Sequence, residues 1–112
     1  MLQGWQAFYS GRLDQRPDQE AAERVLAALV DLTGLTAIGV PLLHVDPDTA
    51  SLEAIQLIAE SHIALSAKGR DCAAIIFSCR YFDADACAEV LRTDLPGAWR
   101  LTEMNRRDFG GE

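Results

Sequence analysis

Cysteines are few in this sequence and do not pair off. Cys72, Cys79 and Cys87 make an odd number, and no two form a C-x-x-C. That argues against a disulfide framework and against a cysteine-rich structural zinc site. No apolar run approaches the roughly 18 residues that a membrane-spanning helix needs. Met1 to Ser10 lacks a basic stretch followed by an apolar one, so no signal peptide is expected. Positive charge is short as well: 10 Lys and Arg stand against 17 Asp and Glu, a net charge of −7. Such a surface repels phosphates, which argues against nucleic acid as a partner. It keeps a small protein soluble and attracts cations. Repeats, low-complexity segments and linkers are also missing. These absences lead us to expect one domain over residues 1–112, cytoplasmic and with no membrane association.

What is present suits one core. Of the 112 residues, 49% are hydrophobic, and a chain of this length buries about two thirds of the surface that it exposes when unfolded. Leu2 to Ser10 alternates and predicts a first strand. Gly11 to Asp18 reads as a polar turn region with Asp18 as a helix N-cap. Ala22, Val25, Leu26, Leu29, Val30 and Leu32 mostly recur at helical spacing, which predicts a helix over 19–33 stopped by Gly34.

Leu35 to Val45 reads as a strand interrupted by Pro41, and Asp46 to Thr49 as a turn. Glu53 to Glu60 alternates as a third strand, with Ser61 to Ala67 continuing in extended form. Cys72 to Cys79 is a near-continuous apolar run, hence a buried strand. Asp83 is placed to cap a helix over 84–92. Trp99 to Met104 makes a last strand, with Asn105 to Glu112 a polar, loose tail. The order predicts an α+β two-layer sandwich, a largely antiparallel sheet with two helices on one face.

Glu60-Ser61-His62 stands between two extended segments, and Ala73 to Cys79 forms an apolar run ending in a cysteine. His44-Val45-Asp46-Pro47 precedes the first of these, and Asp83 to Leu91 follows the second. In these segments the chain resembles the prokaryotic, pyruvoyl-dependent S-adenosylmethionine decarboxylases, over about Thr36 to Leu91. The resemblance implies an S-adenosylmethionine decarboxylase-like fold and a role in polyamine biosynthesis. It implies cleavage between Glu60 and Ser61, where the serine hydroxyl attacks the preceding carbonyl and the amide becomes an ester. Elimination then frees the upstream chain as a carboxylate and leaves dehydroalanine, which water hydrolyses with release of ammonia to a pyruvoyl group from Ser61, the cofactor. That group would carry the decarboxylation of S-adenosylmethionine or another amino acid, with Cys79 as the proton donor. The family's assembly through its sheets implies a homodimer, which would also cover a sheet face without helices.

The sequence departs from the family five residues after the serine. There the family has the histidine that assists processing, within a His-Thr-Trp-Pro-Glu stretch; this chain has Ser66, followed by Ala67-Lys68-Gly69. A hydroxyl is a poor general base. An extended strand turns His62 away from Ser61 and onto the face of Ser66, about 13 Å further along. The alternative expectation is therefore an unprocessed, non-catalytic relative that binds a ligand or regulates a partner. His44 is placed on the surface or in the site, and no second and third ligand stand around it at metal-binding spacing, so no metal is expected. Cys72 and Cys87 read as buried small hydrophobes. Trp5, Phe8 and Tyr9 are read as core, although the family's first strand borders its active site.

Overall fold

The computed structural model describes residues 2–59 and 61–109. The elements run β1 (Leu2–Leu13), α1 (Gln19–Thr33), β2 (Leu42–Asp46), β3 (Ser51–Ile58), β4 (Ser61–Lys68), β5 (Asp71–Ser78), α2 (Ala84–Asp94) and β6 (Gly97–Phe109). The six strands form one antiparallel sheet in the order β2-β3-β4-β5-β1-β6. This is the α+β architecture that the sequence predicts.

Both helices form where local chemistry starts and stops them. The Asp18 carboxylate accepts a hydrogen bond from the Ala21 amide at 2.8 Å, and Gly34 closes α1 in the left-handed region at φ 70. Asp83 accepts from the amides of Asp85 and Ala86 and starts α2. Ala22, Val25, Leu26 and Leu29 bury one side of α1 against β3 and β4, while α2 lies beside α1 and against β6.

Strand alternation sorts the sheet into two faces. Ala7, Ile76, Ile63 and Gln56 are neighbours in one row across β1, β5, β4 and β3, and all are buried. Tyr9, Ala74, Leu65 and Ala54 make the next row, and the Tyr9 hydroxyl donates to the Ala84 carbonyl at 2.9 Å, tying β1 to the start of α2. These rows lie beneath the helices. The alternate residues, among them Ile55, Ala64, Ile75 and Phe8, are only half-buried on a face without helices.

Several boundaries differ from the sequence reading. β1 continues through Gly11 and Arg12 to Leu13, because the long β6 supplies a partner for each of those residues. β2 starts only at Leu42: Gly39 has φ 70 and Pro41 has no amide hydrogen, so the preceding segment keeps just an isolated bridge from Ala37 to Ile58. The chain does not continue extended from β3 into β4 but reverses between Ile58 and Ser61, which pair with each other. Finally, Asn105 to Phe109 is strand rather than loose tail, paired with Leu2 to Gln6. Tyr9 pairs with Leu101 and Phe8 with Glu103, so Thr102 is a bulge residue; its hydroxyl donates to the Phe8 carbonyl at 2.9 Å. Gly110 to Glu112 lie outside the described residues.

Candidate functional site

Ser61 opens β4 and Cys79 is the first residue after β5. The antiparallel pairing of these strands, His62 opposite Phe77, brings together two residues far apart in the chain. The Cys79 amide donates to the Ser61 Oγ at 3.0 Å. Ser61 is 8% exposed and Cys79 is half-buried. Glu60, the residue on the other side of the expected cleavage point, lies outside the described residues.

Ser78 sits beside this pair and is 1% exposed. Its hydroxyl donates to the Arg80 carbonyl at 2.6 Å and accepts from the Arg80 amide at 3.1 Å. Trp5 is the β1 neighbour of Ser78, and Arg106 is the β6 neighbour of Trp5. Ser61, Ser78, Trp5 and Arg106 thus share one row across four strands, on the helix side and at one end of the sheet. The Tyr81 ring meets the Trp5 ring edge-on at 5.9 Å, and the Arg106 guanidinium lies 5.8 Å from the centre of the Trp5 ring. The sequence reading took Trp5 for core and singled out neither Ser78, Tyr81 nor Arg106. Only the β1–β5–β6 register assembles them.

The remaining candidates stand on the other face. His62 is half-buried and stacks on Phe77, ring centres 5.7 Å apart. Ser66 is exposed and donates to the Glu53 carboxylate. His44 is exposed on β2, directly opposite Glu53. His44, Glu53 and Ser66 line one end of a shallow groove whose other side is Leu42, Ile55 and Ala64. The sheet therefore divides the candidates: the Ser61 hydroxyl lies on the helix side, where it meets the Cys79 backbone amide, while His62, Ser66 and His44 lie on the other. Among the described residues no three His, Cys, Asp or Glu side chains converge as a metal site.

The polarity at Ser61 matters for chemistry. An amide hydrogen directed at Oγ binds a lone pair and takes no proton from the hydroxyl, so this contact positions the serine without making it a better nucleophile. The other two thiols are held in reserve by burial. Burial pushes the Cys72 thiol up to about 12 and the Cys87 thiol up to about 11. Burial, with Cys87 alongside, pushes the Tyr9 phenol above its ordinary value. No helix among the described residues is long and apolar enough to cross a membrane. No protein-family model matches this chain, and no curated protein matches it in sequence.

Proposed function

We propose that this chain is an S-adenosylmethionine decarboxylase-like protein of polyamine metabolism, cytoplasmic, with Ser61 and Cys79 as its working pair. One observation carries the reading: the Ser61 Oγ accepts from the Cys79 amide at 3.0 Å, so the two residues that the resemblance pairs are neighbours through the Cys79 backbone. A pyruvoyl group made from Ser61 would serve as the electron sink for loss of carbon dioxide from S-adenosylmethionine or another amino acid. The chain's own residues supply the rest. Cys79 stands beside Ser61 at a strand end, half-exposed, where its thiol can deliver a proton to a substrate carbon. The row of Ser61, Ser78, Trp5 and Arg106 leads from that point across the sheet and gives the remainder of a ligand an aromatic and a cationic wall.

A second reading has its own support. His62 and Ser66 project from the face opposite Ser61, and the contact made by the Ser61 Oγ is with a donor. That arrangement suits an unprocessed relative that binds a ligand or regulates a partner. The intact mass of freshly purified protein decides between the two. A processed chain divides into residues 1–60 and a carbonyl-blocked 61–112, the second piece reacts with a hydrazide, and Ser61→Ala abolishes the cut. A single mass of 12.2 kDa rejects processing and leaves the binding role.

The face without helices, with Ile55, Ala64, Ile75 and Phe8 half-buried, suits a homodimer formed through it. Light scattering should give twice the chain mass; a monomer at tens of micromolar would reject this assembly.

A further inference from the structure

We infer that Ser78 is a positioning residue for Cys79, an inference that rests on the reading of Ser61 and Cys79 as the site. Cys79 has left the strand, so pleat alternation no longer decides where its side chain points. Other contacts must decide it. The Ser78 hydroxyl reaches over Cys79 and binds the two peptide groups that flank Arg80, accepting from the Arg80 amide and donating to the Arg80 carbonyl. This is a serine turn, in which a side chain takes the place of a backbone partner. In the uncut chain the Cys79 amide is also fixed on the Ser61 Oγ. The backbone is thereby pinned on either side of Cys79, and its Sγ retains a single rotatable bond with three staggered positions. Ser78 is almost fully buried and cannot exchange these bonds for water. Tyr81 closes the turn from outside by resting on Trp5.

The probe is iodoacetamide, read by peptide mass at each cysteine. Cys72 and Cys87 are buried, so labelling of the native chain reports on Cys79. Ser78→Ala should speed Cys79 labelling roughly fivefold to tenfold, the population change of one lost net hydrogen bond. Ser78→Thr keeps the hydroxyl and should stay within about twofold of the unmodified chain. A Ser78→Ala rate equal to that of the unmodified chain overturns the inference, as does a Ser78→Thr rate matching Ser78→Ala. Should Ser78→Ala not fold, hydrogen exchange of the unmodified chain serves instead. The Arg80 amide should exchange slowly although its residue is exposed, and exchange at the unfolded rate overturns the inference. An uncut mass would reject the processed enzyme and leave both measurements readable. Cleavage at Glu60–Ser61 together with Cys79 labelling indifferent to Ser78 would reject the role of Ser78 alone.

Discussion

The two faces of the sheet are made from the same strands, and neighbouring residues have opposite fates on them. Ile76 is fully buried under the helices, whereas Ile75 is half-exposed on the other side. Ser61 shares the helix side with Ser78 and Trp5, whereas His62 stacks on Phe77 across the sheet. Sequence adjacency therefore says little about chemical partnership here. A tripeptide such as Glu60-Ser61-His62 looks like a unit on the page, yet the pleat sends its serine and histidine to separate surfaces.

The largest expected effect tests the asymmetry itself. Ile76→Ala opens a cavity in the closed core and should cost about 2–5 kcal/mol in urea unfolding. Ile75→Ala removes a partly solvated side chain and should cost less than about 1.5 kcal/mol in a monomer. Equal losses would break the distinction between the faces. A loss for Ile75→Ala that shrinks as the protein is diluted would sharpen it, by showing that a second copy covers that side.

Two glycines extend the comparison at smaller amplitude. A Cβ at Gly11 would meet the Trp99 ring at 2.6 Å, and a Cβ at Gly4 would meet the Phe77 ring at the same distance. Trp99 is buried and its Nε1 donates to the Leu95 carbonyl at 2.8 Å, so it cannot move aside without losing that bond. Phe77 lies on the face without helices, and the atoms that a Gly4 Cβ would meet are Cε2 and Cζ at the far end of its ring. Gly11→Ala should therefore cost about 1–3 kcal/mol, and Gly4→Ala less. The melting temperatures of the two variants give the ranking, and a larger drop for Gly4→Ala would contradict it.

The helix side also imposes a pH dependence. The Cys72 thiol ionises near 9.0 when unfolded and near 12 in the native state, because burial penalises the thiolate. The unfolded chain thus gives up this proton first as pH rises. The stability in question is complete below pH 9 and drains away between pH 9 and about 12. Cys87 adds to the fall between pH 9 and about 11. Urea midpoints should decline over this window, and Cys72→Ala should flatten the decline. A midpoint independent of pH from 9 to 11 would contradict the native burial of both thiols.

Both helices were legible because their signals are local: Asp18, Asp83 and Gly34 act within a turn of their own positions. β5 was legible because Cys72 to Phe77 is a run of apolar residues, although burial alternates along it until Ile76. The second half of β6 was not. Asn105, Arg106 and Asp108 are the residues of an exposed edge strand, where charge discourages further pairing, and their polarity reads as a tail until β1 is seen beside them. The placement of His62 away from Ser61 followed from the two-residue period alone, and the structure has it so. Ser78, Tyr81 and Arg106 were out of reach, because what gathers them around Trp5 is a strand register and a ring contact that no single segment encodes.

The smallest effect bears most directly on function. Ser66 is exposed, and its bond to Glu53 is made in solvent on the face away from Ser61. Ser66→Ala should change stability by no more than about 0.5 kcal/mol. If the chain cleaves itself, Ser66→Ala should leave the cleavage rate within about twofold, since the sheet lies between residue 66 and the Ser61 hydroxyl. Ser61→Ala, on the other face, should stop cleavage completely. Time courses of intact mass from freshly synthesised protein make the comparison. A Ser66→Ala chain that processes tenfold more slowly would mean that the two faces communicate through the sheet, and would break the division on which the comparison rests.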